Sequence, residues 1–486
     1  MLFNSYVFIF LFLPVGLLVY FGLTKRKWLR ASIIWLLFLS LVYYGWWNPI
    51  YVSLIVGSVL FNYIMGGWLN KRGNAEPLKR KFVLLAGISG DLLLLGYFKY
   101  ADFLISSFNS FSHSQIPLPH IALPLGISFF TFTQIAYLVD AYRGETEGYT
   151  LPIYALFVSF FPYVLAGPIV HHKEVTTQYH WLSNKALDYR NITGGVYLFF
   201  IGLFKKVVIA ETLAGWVNNG FNNALTLSLI EAWATSLSYT LQLYFDFSGY
   251  TDMALGSAKM FNIRLPINFN SPYQSLNIQE FWRRWHITLG RFMRDYIYIP
   301  LGGNRISQVR TLLNLMITFF LIGLWHGAGW TFVFWGCLHG GALVVHRLWN
   351  RCHLRMPKVL AWLITFNFVN GAWIFFRAKT FGDAMNVLKG MIGMNGVVLP
   401  ESLGERMRGL QGYGVRFGQW LGNMGGDGRI ILTIVILLLF SLSLRNSNEM
   451  VTGFKPNLGR LIFMCIVAVL SILYLRSHSE FLYFRF

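Results

Sequence analysis

Cysteine is scarce in this 486-residue chain, and its three copies, Cys337, Cys352 and Cys465, are scattered. They provide no disulfide framework and none of the paired spacings of a zinc site. Charge is scarce as well: 12% of residues are charged, with 20 acids against 40 lysines and arginines. Neither an HExxH run nor a paired carboxylate–histidine helix motif occurs, so no metal is expected. The absence of an internal repeat argues against a transporter built from inverted halves. No basic segment precedes the apolar run Leu2 to Leu23 and no small-residue cleavage site follows it, so a retained helix is expected rather than a signal peptide.

Apolar residues are abundant: 55% of the chain is hydrophobic, 18% is aromatic and the mean hydropathy is +0.50. That composition excludes an ordinary soluble enzyme and indicates a polytopic membrane protein. A formal charge of +20 could suggest a nucleic-acid partner. The basic residues, however, sit in short loops between apolar runs, the pattern of positive-inside bias, and no nucleic acid is expected.

Spanning-length apolar stretches fall at about 2–22, 31–47, 50–69, 82–99, 121–139, 152–170, 193–210, 228–246, 311–328, 332–349, 358–376, 429–445 and 458–475. They predict an all-α bundle of roughly 11–13 spans, some of them re-entrant. The basic loops Lys25 to Arg30 and Lys71 to Lys81 share a side if the turn at Asn48–Pro49 lies on the other. That side should be cytoplasmic, with the N-terminus outside. The whole chain, 1–486, reads as one membrane domain: N-terminal spans over 1–100, a core over 101–378, a polar surface segment over 379–428 and final spans over 429–486.

Polar groups inside apolar runs are the functional candidates. Asp91 interrupts GISGDLLLLG, and is expected either to line a cavity or to pair with a lysine or arginine of another helix. Lys99 marks the end of that span, and His113 and His120 lie in a Ser-rich loop. His171 and His172 are adjacent, so their side chains should diverge and make a poor metal pair. In LYFDFSGYTDMALG, Asp246 and Asp252 either shape a polar chamber or flank a helix break where arginines such as Arg264 satisfy them. His339, His346 and His353 recur at spacings of seven, and one shared face without acids is a weak ligand set.

The densest stretch runs from Asn277 to Trp335. At helical period Ile278, Phe281, Trp282, Trp285, Leu289, Phe292, Met293 and Tyr296 share one arc, and Glu280, Arg283, Arg284, Arg291, Arg294 and Asp295 the other. An interfacial or re-entrant helix is expected, with His286 at the seam. Leu312 to Leu324 then reads as a span delivering Trp325 and His326 to its end, where Gly323, Gly327 and Gly329 leave room.

The runs LGYFKYADF, LPLGISFFTF, AGPI, LYFDFSGYTDMALG, EFWRRWHITLGRFMRDYIYIPLGGNR, LWHGAGWTFVFWGCLHG and WIFFRA resemble the membrane-bound O-acyltransferase family, in its bacterial alginate O-acetyltransferase-like branch. The resemblance covers about Gly96 to Ala378. It implies about eleven transmembrane helices plus re-entrant ones around a funnel or tunnel, in the bacterial inner membrane. It also implies that His326 matches the family's invariant histidine and His286 its second one. Acetyl would leave a cytoplasmic thioester, acetyl-CoA or an acyl carrier protein, with no bound cofactor. It would reach a hydroxyl of an exported, alginate-like polysaccharide through a periplasmic partner enzyme.

Acyl transfer to an alcohol needs a base, oxyanion donors and exclusion of water. His326 is assigned as general base toward the acceptor; His286 could be a second acid/base, an oxyanion donor or a group orienting the thioester. No serine or cysteine forms a nucleophile elbow beside His326, so direct transfer is expected. Arg283, Arg284, Arg291 and Arg294 suit the donor's phosphates or anionic lipid headgroups, and Trp285, Trp325, Asp246 and Asp252 complete the candidate binding set. Two other readings stay open: acylation of peptidoglycan, cellulose, lipid or protein, and a transporter whose Asp91, Asp246, Asp252 and His326 line a path.

Overall fold

The computed structural model describes residues 1–70, 77–146, 148–180, 186–452 and 457–476, so part of the basic loop expected at 71–81 lies outside the described residues. Six helices among them are long and apolar enough to cross a membrane: Phe8–Lys25, Ile50–Asn70, Pro77–Ser112, Tyr189–Asn222, Gln308–His326 and Lys358–Arg377. Three shorter apolar helices, Leu29–Gly45, Arg429–Ser443 and Leu458–Leu473, add to them. Leu18, Ile50, Leu93 and Val359 are each more than 70% exposed on these helices. An outer surface so rich in large apolar side chains is stable only against lipid.

The middle of the bundle is built differently. Leu229–Met260 is a 32-residue helix buried along most of its length, opened by a capping box between Ser228 and Glu231. It packs on Tyr189–Phe204 through two reciprocal glycine pairs. A Cβ added at Gly202 would stand 2.5 Å from the Gly249 carbonyl oxygen, and one at Gly256 2.6 Å from that of Gly195. Ser248–Gly249 is therefore no helix break: the glycine lets two helix backbones touch.

Buried acids on this helix pair with lysines, not with Arg264. The Lys206 ammonium donates to Asp246, and Lys205 Nζ lies 2.7 Å from Asp252 Oδ2, which also accepts from Ser447 Oγ at 2.6 Å. Lys206→Met is expected to strand the Asp246 carboxylate at a cost of about 3–5 kcal/mol, and the double change Lys206→Met/Asp246→Leu to restore much of it. Thermal unfolding midpoints in detergent give the check; equal midpoints for the single and double variants would contradict the pairing.

Two expected elements differ. The run 152–170 forms a helix only over Leu151–Ser159. Beyond it residues 160–170 are buried turns, broken by Pro162, Gly167 and Pro168 and closed by local bonds such as Val164 N–H to the Phe160 carbonyl at 3.1 Å. In the polar surface segment, Val397–Pro400 and Val415–Gly418 pair as two short parallel strands, so the fold is nearly, not wholly, all-α. Asp91 likewise takes no basic partner among the described residues; Asn62 Nδ2 donates to its Oδ1 at 2.7 Å.

Candidate active site

The amphipathic stretch does not fold as one helix. Ile278–Arg284 ends at Trp285, and Ile287–Met293 begins after His286, whose φ of +45° and ψ of +52° place it in the left-handed region. The interruption is held by a strand-like segment: Asn270 N–H donates to the Arg284 carbonyl at 2.9 Å and Ile287 N–H to that of Asn268 at 3.0 Å. A left-handed non-glycine residue costs about 1–3 kcal/mol and persists only where its surroundings impose it. Its effect is to turn His286 from the expected helix seam into the core, where it is wholly buried.

The His286 ring is oriented by Asn268. Asn268 Oδ1 accepts from Thr288 N–H at 3.2 Å and lies 3.0 Å from Thr288 Oγ and 3.1 Å from His286 Nδ1. Because the Thr288 amide can only donate, the Asn268 atom facing it must be the oxygen, and His286 Nδ1 must carry the proton. In the neutral ring Nε2 then holds the lone pair.

His326 ends the helix Gln308–His326. Gly323 and Gly336 bring that helix against Trp330–Arg351, since a Cβ at Gly323 would lie 2.4 Å from the Phe332 carbonyl oxygen. The room expected near the glycines is thus filled, by backbone at Gly323 and by the Phe332 ring at Gly327. His326 sits among Trp325, Trp335 and Phe376 with ring centroids 5.0–5.2 Å away. Its centroid is 6.4 Å from that of His286. Forty positions apart in sequence, the two rings converge.

One cavity reaches His326, and a separate one comes within a residue or a helical turn of the pair, at Ile287 and Ile322. The first, of about 60 Å³, is lined by His326, Trp325, Lys99, Ser128 and the loop Leu123–Ile127. It abuts a second, about 130 Å³, that shares Lys99 and Leu123 and runs out past Asp102 and Ala328. The other approach is a 470 Å³ cavity lined by Arg283, Arg291, Arg294, Ile287, Leu289 and Ile322, the last one helical turn before His326. A neighbouring cavity lined by His346, Arg347 and Arg351 shares Gln279, Tyr298, Leu315 and Leu343 with it.

Three of the four arginines expected to hold a donor line that second approach, and all but Arg283 have carboxylate partners. Arg294 pairs with Asp295 at 2.7 Å and Arg291 with Glu174 at 2.5 Å. Arg284 pairs with Glu280 at 2.9 Å and lines neither approach. Burial opposes the Glu174 carboxylate, but Arg291 and the His171 N–H outweigh it and hold its pKa below the usual range. Trp325 lines the His326 cavity, whereas Trp285 packs between Phe281 and Trp373 and lines neither. Asp246 and Asp252 are committed to lysines, as described above.

Three groups near the site were not assigned to it by sequence. His339 is buried behind the pair, with Trp282 Nε1 donating to its Nδ1 at 3.2 Å and its ring 4.8 Å from Trp335. It does not share a face with His353, which lies beyond the end of Trp330–Arg351. Asn268 carried no pattern that could have revealed it, and Lys99 read only as a helix end. The adjacent histidines do not diverge: His171 Nε2 and His172 Nε2 lie 2.7 and 3.1 Å from Asp140 Oδ2, and Tyr296 Oη donates to the same oxygen at 2.7 Å. Tyr149 Oη lies 2.8 Å from His172 Nδ1, so the cluster forms a continuous hydrogen-bonded post beside the Glu174–Arg291 pair.

Residues 17–382 match the MBOAT, membrane-bound O-acyltransferase family. The chain is 45% identical to the peptidoglycan O-acetyltransferase of Helicobacter pylori, an alignment covering 100% of this chain and 98% of that protein. It is 41% identical to the probable alginate O-acetylase AlgI of Pseudomonas aeruginosa over 85% of this chain and 78% of the relative. It is 27% identical to the teichoic acid D-alanyltransferase of Bacillus subtilis over 68% and 86% respectively. With the family's span laid over two converging histidines in an apolar helical bundle, the chain belongs to the membrane-bound O-acyltransferase family and is an O-acyltransferase.

Proposed function

We propose that the protein moves an acetyl group from a cytoplasmic thioester to a hydroxyl of a cell-envelope glycan on the far side of the bacterial inner membrane. The observation that carries this reading is the 6.4 Å histidine pair, with His326 lining a cavity that continues past Asp102 and a separate arginine-lined cavity reaching Ile287 and Ile322 beside the pair. The donor, acetyl-CoA or an acyl carrier protein, enters on the arginine side, where guanidinium groups suit its phosphates. Arg283, which has no carboxylate partner among the described residues, is the first of them. His326 takes the proton of the acceptor hydroxyl as its oxygen attacks the thioester carbonyl. The C–S bond then breaks and the proton passes to the leaving thiolate. With its Nε2 lone pair directed by Asn268, His286 acts as a second base or orients the thioester; an oxyanion donor would need a proton there.

Peptidoglycan is the favoured acceptor, supported by the full-length similarity to the Helicobacter pylori enzyme. An exported alginate-like polysaccharide is the second reading, supported by the AlgI relatives. In either case a periplasmic partner enzyme completes the transfer. Mass spectrometry of muropeptides and secreted polymer from cells with and without the gene separates these. O-acetyl esters should vanish from muropeptides on deletion and return on complementation. Loss confined to the secreted polymer would shift the acceptor, and esters unchanged on both would end the proposal.

A further inference from the structure

The helix that carries His326 has a cap from outside itself. The last carbonyls of a helix have no intrahelical donor, and here they belong to Leu324, Trp325 and His326, the residues that place the reactive ring. Tyr100 Oη donates to the Leu324 carbonyl at 2.8 Å. Lys99 Nζ donates to the Trp325 carbonyl at 2.5 Å and reaches that of His326 at 3.4 Å, with Ser128 Oγ also at 3.4 Å. Lys99 makes no salt bridge among the described residues; its Nζ faces the carbonyl end of this helix, the end that favours a cation. Both residues lie in Gly96–Tyr100, a turn of π-helix, a local widening found often at functional sites. Lys99 also lines both of the outer cavities, where they meet.

We propose that Lys99 is a positioning residue for acyl transfer: its ammonium fixes the carbonyl end of the helix and with it the His326 ring at the mouth of the outer passage. A cation used only to tie two helices together would need neither a place at a cavity junction nor the two peptides flanking the reactive histidine. An uncapped helix end frays by a turn, and a displacement of about 1 Å at a reacting group costs about 100-fold in rate.

The inference rests on the acetyltransferase reading, and the experiment separates the two. Membranes containing the full chain, prepared from the native cells with their periplasmic fraction added back, are assayed for thiol release from acetyl-CoA with glycan acceptor present. Activity of the unaltered protein tests the reading itself. Given that activity, Lys99→Met should lower kcat about 100-fold with KM for donor and acceptor within about threefold, because the ammonium holds peptide carbonyls and not substrate. Lys99→Arg, which keeps a cation with donors, should recover at least about tenfold over Lys99→Met. Rates are normalised to folded protein, so a variant that merely unfolds does not count as a loss of kcat. The inference is overturned if Lys99→Met keeps kcat within about threefold, if its effect falls on KM, or if Lys99→Arg is no better than Lys99→Met.

Discussion

His326→Asn is expected to lower the rate of acyl transfer by about 10²–10⁴-fold, the span attributable to a positioned general base. The ring lines the cavity that it shares with Lys99, and a second imidazole stands with its centroid 6.4 Å away. Asparagine keeps a polar side chain of similar reach but cannot accept a proton near neutral pH. Structural damage should be modest. The cage of Trp325, Trp335 and Phe376 is braced by its own contacts, with Trp335 stacked 5.4 Å from Trp373 and Trp325 stacked 5.4 Å from Phe132. Thiol release from acetyl-CoA, compared with the thermal midpoint in the same detergent, gives the measurement. A folded variant within about threefold of the unaltered protein would remove His326 from the chemistry.

The convergence of His286 and His326 was only partly legible in the sequence. Composition and run length disclose most of the bundle, because lipid demands long uninterrupted apolar helices and such runs are visible residue by residue. They fail where burial comes from protein rather than lipid. Residues 160–170 are as apolar as a span yet form buried turns, and hydropathy does not distinguish the two solvents. The break at His286 is invisible for another reason. Ile278 to Tyr296 has helical periodicity throughout, and the left-handed residue in its middle is imposed by a partner segment at 268–270 that no local pattern announces. Asp246 and Asp252 were legible as unusual acids, but their lysines come from Lys205 and Lys206 on another helix, and pairing across helices is set by packing.

That imposed geometry yields the second large effect. Asn268→Ala is expected to reduce acyl transfer by about 100-fold or more while leaving donor KM nearly unchanged, because His286 would lose both its orientation and its fixed tautomer. Losing the group that fixes an imidazole's tautomer costs as much as about 10⁴-fold in kcat in serine proteases. The same change deprives Thr288 N–H and Thr288 Oγ of their acceptor, so some stability should fall with it. Asn268→Asp separates the two contributions, since a carboxylate oxygen can accept from the same three donors. It should restore the fold and a substantial share of the rate, with His286 Nδ1 still protonated. Asn268→Leu fills the space without accepting and should behave like Asn268→Ala. Equal activity of the aspartate and leucine variants, both folded, would mean that His286 orientation is immaterial and that its buried ring serves only packing against Phe247, 4.8 Å away.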